Sequence, residues 1–144
     1  MRDDNCLFCR IVSGELPATV VYEDEVSFAF LDHRPLFPGH TLLVPREHVE
    51  TLGDLPVTQV EPYFKAAQLL ARAVESGLDA EGTFVAMNNR VSQSVPHLHV
   101  HIVPRRKGDG LKGFFWPRTK YKGEEEMKSV QSKIAAALKK LKRN

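Results

Sequence analysis

Three histidines alternate with apolar residues in the run His97-Leu98-His99-Val100-His101, and this run constrains the fold more than any other feature. Residues two apart in a β-strand point to the same face, so the run predicts a strand with three imidazoles on one face and an apolar face against a core. Histidine is neither a good strand former nor an inexpensive residue to bury. Half of the chain's six histidines lie within these five residues. The run therefore indicates a reactive or metal-binding site rather than packing.

The chemistry of imidazole allows two roles for this run. With an ordinary pKa of about 6.5, imidazole is mostly neutral at pH 7 and can attack phosphorus or bind zinc without prior activation. Gln93 and Ser94 precede the run and offer an amide and a hydroxyl, which suit phosphate oxygens held beside a nucleophile. Without the histidines, these two residues would indicate only a turn.

Length and composition predict one globular domain spanning 1–144. Hydrophobic residues make up 42% and charged residues 26%, as in ordinary soluble proteins. The N-terminus lacks an apolar run behind its charges, and no eighteen apolar residues stand together, so we expect a cytoplasmic protein without a membrane span. A net charge of +2 is too small to indicate a nucleic-acid partner.

Basic and aromatic residues concentrate in the segment 104–123, which is predicted to be a loop. Seven basic residues and four aromatic residues stand there against the single acid Asp109. One interpretation is a solvated loop with buried rings. The other is a lid that offers charge to phosphates and ring faces to bases.

Apolar periodicity predicts five strands and three helices. The strands are expected at 18–22, 26–31, 41–44, 83–87 and 98–103. A short helix over 7–12 is followed by Gly14, and a long helix over 57–76 has Pro62 near its first turn and Gly77 at its end. A final helix within 124–144 carries an apolar stripe, with its acids before its lysines as the helix dipole favours.

The only two cysteines, Cys6 and Cys9, form a Cys-x-x-Cys pair, which in a cytosolic protein indicates metal or redox chemistry rather than a disulfide. A tetrahedral zinc site needs four nitrogen or sulfur donors, so two histidines must complete it, and His48 and His97 are the candidates. A thioredoxin-like role is the weaker alternative, because the Trp-Cys-x-x-Cys context is missing.

These residues resemble the histidine-triad (HIT) family, whose motif alternates three histidines with apolar residues and ends on two apolar positions. His97 to Val103 fits it throughout. The likeness extends over Cys6–Pro17, Val21–Asp24, Phe28–Asp32, Pro38–Pro45 and Gln93–His97. A Lys-Gly-Asp-Gly stretch at 107–110 is similar to the bacterial zinc-containing HIT hydrolases in particular.

The resemblance implies an α+β HIT fold with a five-stranded antiparallel sheet, one short and one long helix and a C-terminal helix. It also implies a homodimer whose two sheets join into ten strands. Structural Zn²⁺ would be held by Cys6, Cys9, His48 and His97. His99 would attack the α-phosphorus of a nucleotide, while His101, Ser94 and Gln93 would contact the phosphate and the leaving group.

The same resemblance implies a nucleotide pocket. Asp32 would bind the ribose hydroxyls, with His33 beside it where many members have an aliphatic residue, and Asn88 or Asn89 would reach the sugar. His40 is assigned a structural role. The purine would be walled by apolar residues whose alternative role is simply core, namely Leu7, Phe8, Ile11, Leu16, Phe30 and Leu31.

The function predicted from these residues is hydrolysis or transfer at the α-phosphate of purine nucleotides, with nucleoside phosphoramidates or dinucleoside polyphosphates as substrates and a covalent nucleotidyl-histidine intermediate. A non-catalytic purine-nucleotide-binding adaptor is the alternative. Processing of nucleic-acid ends is disfavoured, because no zinc-finger extension accompanies the triad.

Overall fold

The computed structural model describes residues 2–111 and 118–142. A 3-10 turn at Leu52–Asp54 accompanies three helices and five strands. The helices are α1 (Leu7–Val12), α2 (Val57–Leu78) and α3 (Glu124–Lys142). The strands are β1 (Val20–Glu23), β2 (Ser27–Leu31), β3 (Thr41–Pro45), β4 (Gly82–Ala86) and β5 (Val100–Arg105).

All five strands form one antiparallel sheet in the order β1-β2-β3-β5-β4, which confirms the predicted fold class. The last strand in sequence, β5, lies between β3 and β4. Leu42 of β3 is paired with His101 of β5, and Ala86 of β4 is paired with the same histidine. The triad strand is therefore held from both sides by neighbouring strands.

The two faces of the sheet pack against different helices. One face, which includes Leu43, Val100 and Ile102, forms the larger core with Tyr63 and Leu70 of α2. The opposite face packs on α1 in a second cluster that contains Cys6, Phe8, Cys9, Phe28, Phe30, Leu42 and Val44. Alternation along the strands thus places the apolar side of the histidine run on α2 and leaves its histidine side for α1.

Two element boundaries differ from the sequence-based expectations. Strand β5 begins at Val100 rather than at residue 98, because Leu98 N–H donates to the carbonyl oxygen of Val49, 2.7 Å away, instead of pairing within the sheet. Helix α2 continues past Gly77 to Leu78, because Asp79 (φ 52°) adopts the left-handed conformation that ends it. Pro62 lies in its second turn.

The described residues fall into two compact units, within Met1–Asp109 and within Gly110–Asn144. The second contains α3, with Glu124, Glu125 and Glu126 in its first turn and lysines in its last, as predicted. Of the predicted basic aromatic loop 104–123, residues 112–117 lie outside the described part of the chain, and residues 104 and 105 belong to β5. No helix in the described ranges has the length and apolar character needed to cross a bilayer.

Gly39, in the turn before β3, has a φ of +102°, and a Cβ there would overlap Cδ1 of Leu78. We expect Gly39→Ala to lower the free energy of unfolding by about 1–3 kcal/mol, because a left-handed backbone strains any residue with a Cβ. Gly77→Ala, inside α2 with open space around the added Cβ, should raise it by up to about 1 kcal/mol. Urea unfolding followed by circular dichroism measures both, and a Gly39→Ala variant as stable as Gly77→Ala would contradict this account.

Candidate active site and metal centre

Four metal-binding side chains converge on the α1 side of the sheet. Cys6 and Cys9 come from the start of α1, His48 follows β3, and His97 precedes β5. Their ligand atoms all lie within 4.8 Å of one another. Sγ of Cys6 is 3.4 Å from Nδ1 of His97, and Sγ of Cys9 is 3.4 Å from Nδ1 of His48 and 3.6 Å from Nδ1 of His97. Ordinary Zn–S and Zn–N bonds at tetrahedral angles separate sulfur from nitrogen by about 3.5 Å, so the cluster has the dimensions of a zinc site.

The hydrogen bonding of His97 leaves the correct nitrogen free for a metal. Its Nε2 lies 2.8 Å from the carbonyl oxygen of Pro45, which can only accept, so Nε2 carries the proton and donates. The lone pair of Nδ1 then faces the two sulfur atoms. Burial lowers the pKa of His97 to about 4, so the ring is neutral at pH 7. Such an orienting hydrogen bond behind a ligand is typical of metal-bound histidine.

A backbone carbonyl also fixes the tautomer of His99, but here the proton is on Nδ1 instead of Nε2. Its Nδ1 is 2.7 Å from the backbone carbonyl oxygen of His97, so Nδ1 carries the proton and the lone pair resides on Nε2. The ring is 3% exposed and packs edge to face against Phe8, with centroids 5.1 Å apart. In its neutral form His99 therefore presents the lone pair of Nε2, which is what a nucleophilic imidazole requires.

His101 takes part in a chain of hydrogen bonds with His40 and the backbone of Leu36. The backbone N–H of Leu36 donates to Nδ1 of His40 (3.0 Å), so Nε2 of His40 carries a proton and donates to Nδ1 of His101, also at 3.0 Å. The remaining proton of His101 is consequently on Nε2. Burial, with smaller effects from His99 and His40, lowers the pKa of His101 to about 4. His101 is thus a neutral donor at physiological pH.

A cavity of about 360 Å³ opens beside His99 and His101. Its walls are mostly apolar, and Asp32, His33 and Ser94 are its other polar lining residues. Of the pocket predicted from sequence, the structure brings together Leu7, Phe8, Ile11, Leu16, Phe30, Asp32 and His33, with Ser94, His99 and His101. An apolar cavity with a few convergent polar groups is the usual form of a small-molecule site.

Some predicted contacts lie elsewhere. Leu31 lines a neighbouring groove rather than this cavity. The side chain of Asn88 donates to the carbonyl oxygen of Ser92, and that of Asn89 accepts from Leu52 N–H. Gln93 accepts from Arg90 N–H and donates to the carbonyl oxygen of Glu50. The three amides therefore stabilise the 88–93 loop and do not line the cavity in this structure.

Several residues of the site were not predicted from the sequence. Pro17, Leu42 and Val95 also line the cavity. His40, for which the sequence predicts a structural role, is buried and contacts the third triad histidine through its Nε2. This contact arises because β3 and β5 are antiparallel neighbours in the sheet, which places a residue just before β3 beside His101. Predicting the contact requires the order of the strands in the sheet, and local sequence patterns do not provide that order.

Solved structures share this architecture along nearly the whole chain. A HIT-family protein from Bacillus subtilis has a TM-score of 0.82 at 36% identity, covering 92% of this chain and 96% of that one. A zinc-bound histidine-triad protein from Mycobacterium smegmatis has a TM-score of 0.70 at 38% identity, with the same coverage of both chains.

Sequence comparisons agree with the structural ones. The Bacillus subtilis protein named hit is 39% identical over 140 residues, or 94% of this chain and 95% of that protein. The adenosine 5'-monophosphoramidase hnt1 of Schizosaccharomyces pombe is 32% identical over 140 residues, covering 94% of this chain and 99% of that one. The adenylylsulfatase HINT3 of Arabidopsis thaliana is 33% identical over 110 residues, or 75% of this chain and 56% of that protein. The family model of the HIT domain matches residues 13–108, and the chain therefore belongs to the HIT family.

Proposed function

We propose that this protein is a nucleotide hydrolase or transferase acting at the α-phosphate of purine nucleotides, with nucleoside phosphoramidates or dinucleoside polyphosphates as its substrates. The observation that carries the proposal is the fixed tautomer of His99, whose free Nε2 belongs to a residue lining an apolar cavity. Relatives named as a monophosphoramidase and an adenylylsulfatase support the reaction class.

Substrate binding follows from the lining of the cavity. The purine would lie among the apolar residues of the cavity, chiefly Phe8, Ile11 and Phe30. These side chains would shield the planar base from water. Among the described residues of the lining, Asp32 supplies the one carboxylate and is the candidate partner of the ribose hydroxyls. Ser94 and His101 would donate hydrogen bonds to oxygens of the α-phosphate or to the leaving group.

The reaction would proceed in two displacements at phosphorus. Nε2 of His99 forms a bond to the α-phosphorus, and the bond to the leaving group breaks with its electron pair on that group. Water then forms the new P–O bond as the P–N bond breaks, which returns His99 to its starting form. Overall, the hydroxyl of one water ends on phosphorus and its proton on the leaving group. In the intermediate the imidazole ring is cationic, and the Nδ1–H bond to the carbonyl of His97 stabilises it.

His40 would act as a positioning residue for His101. Because Nδ1 of His40 accepts from the backbone of Leu36, only its Nε2 can donate, and this keeps the proton of His101 on the nitrogen that is not bound to His40. Asp32 Oδ2 lies 3.8 Å from Nε2 of His40, so the proposed ribose-binding carboxylate also borders this chain.

We further propose that Cys6, Cys9, His48 and His97 hold a structural Zn²⁺ ion, as the dimensions of the cluster and the zinc-bound relative support. Bound zinc would supply no chemistry to the reaction, but it would tie α1, which walls the cavity, to the segment that carries His99. Strand β4 stands at one edge of the five-stranded sheet. We also propose that the protein is a homodimer whose two sheets join into ten strands, and that it is cytoplasmic.

Replacement of His99 tests the proposed enzyme. His99→Asn keeps an amide donor near the position of Nδ1 and removes Nε2, so the fold and AMP binding should be retained. Turnover of adenosine phosphoramidate and of diadenosine polyphosphates, followed as AMP release by chromatography, should fall by at least about a thousandfold. His99→Ala should be equally inactive. Wild-type turnover by His99→Asn would contradict a covalent role, and a wild-type protein that binds AMP but turns over neither substrate class would favour the adaptor alternative.

Removal of metal tests the proposed zinc site. Elemental mass spectrometry of the purified protein should find one zinc per chain, and Cys9→Ser should lose it, whereas the matched control His33→Ala should keep it. Chelation of the wild-type protein should lower the free energy of unfolding by roughly 3 kcal/mol or more, since the ion binds the folded state. A metal-free protein with all four donors intact and an unchanged Tm on zinc addition would exclude the site.

A further inference from the structure

Ser94 lines the cavity beside His99 and His101, but no other protein group holds its hydroxyl there. The residue is exposed, and within the described part of the chain its side chain makes no hydrogen bond. A serine hydroxyl can rotate to suit its surroundings, so its own chemistry does not fix its place. The position of this hydroxyl in the cavity therefore depends on the backbone of the loop 88–93 that leads into Ser94.

The backbone of this loop is strained at two positions. Arg90 has a φ of 70° and Ser92 a φ of 62°, which places both in the left-handed region. That conformation costs free energy for any residue with a Cβ, and it persists only where surrounding contacts hold it. The loop therefore needs hydrogen bonds to groups beyond its own backbone in order to keep its shape.

Gln93 supplies such hydrogen bonds from both ends of its amide. Its Oε1 accepts from the backbone N–H of Arg90, 2.7 Å away, and its Nε2 donates to the carbonyl oxygen of Glu50, 2.6 Å away. A backbone N–H can only donate and a carbonyl oxygen can only accept, so the two partners fix which way the amide points. The first bond closes the turn 90–93, and the second joins that turn to the anchor segment, residues 49–52.

The anchor segment holds the chain on both sides of Ser94. After Ser94, the N–H of Leu98 donates to the carbonyl oxygen of Val49, 2.7 Å away. Before Ser94, the N–H of Leu52 donates to Oδ1 of Asn89, 2.8 Å away. The glutamine amide is the nearest of these anchors, because it belongs to the residue directly before Ser94.

We propose that Gln93 is a positioning residue: by joining Arg90 to Glu50, its amide holds Ser94 where the serine hydroxyl can donate to the α-phosphate or the leaving group. Gln93 itself does not touch the substrate. This differs from the family resemblance, which implies direct contact between Gln93 and the phosphate. The inference rests on the proposed function, from which it takes the role of Ser94.

A double-mutant cycle in the full, zinc-loaded chain tests whether Gln93 acts through Ser94. Gln93→Met nearly keeps the length of the side chain and removes both hydrogen bonds. With adenosine phosphoramidate as substrate, it should lower kcat/KM by about 10- to 100-fold, and by no more than Ser94→Ala does. In the Ser94→Ala background the same change should cost less than about twofold, because the hydroxyl it positions is already gone.

Gln59→Met is the matched control, since it removes an amide bond to the side chain of Glu47 outside the loop. It should change kcat/KM by less than about twofold in either background. Circular dichroism and AMP affinity close to those of the wild type verify that each variant is folded. If Gln93→Met does not fold, Gln93→Glu takes its place in the cycle. At neutral pH its carboxylate can accept from Arg90 but cannot donate to Glu50, so the same pattern is expected.

The results separate this inference from the proposed function. A merely structural role, or direct contact of Gln93 with the phosphate, would make Gln93→Met cost the same factor with and without the Ser94 hydroxyl. That outcome, or no loss from Gln93→Met in the wild-type background, would overturn the inference and leave the proposed enzyme standing. A wild-type chain without turnover would overturn the proposed function and this inference with it.

Discussion

The hydrogen bond from Nδ1 of His99 to the backbone carbonyl of His97, 2.7 Å long, is the interaction on which the chemistry of the site depends. It fixes the neutral tautomer of His99 as Nδ1–H, with the lone pair on Nε2. The side chain of His97 is itself held between the carbonyl of Pro45 and the two cysteines. One residue therefore joins the proposed metal centre to the proposed nucleophile: its side chain belongs to the cysteine and histidine cluster, and its backbone carbonyl accepts the hydrogen bond from His99.

Sheet topology explains why the roles divide so sharply along one short segment. Strand β5 lies between β3 and β4, and its apolar side chains Val100 and Ile102 are buried in the core on α2. The histidine side faces α1 and the cavity, where Phe8 contacts both His97 and His99. The proposed zinc site would hold α1 against the sheet and so keep that wall of the cavity in place.

Local patterns predicted the five strands, the three helices and the Cys6 and Cys9 pair, because alternation, helical periodicity and cysteine spacing are properties of short segments. His48 and His97 were candidates for the other two donors because zinc needs four, and the family resemblance implies the same set. Boundaries and long-range pairs were less accessible. The end of α2 depends on Asp79 in a left-handed conformation, and the contact of His40 with His101 depends on strand order. The amides of Asn88, Asn89 and Gln93 were expected at the substrate, but each satisfies a backbone group of its own loop or of a neighbouring segment.

The tautomers of the triad are the most direct test of this account. Nitrogen-15 NMR of imidazole rings distinguishes protonated from unprotonated nitrogens in a long-range correlation spectrum at neutral pH. The structure predicts the Nδ1–H form for His99 and the Nε2–H form for His97 and His101. An Nε2–H signal from His99 in the zinc-loaded protein would mean that the carbonyl of His97 does not set its tautomer, and would contradict the central claim.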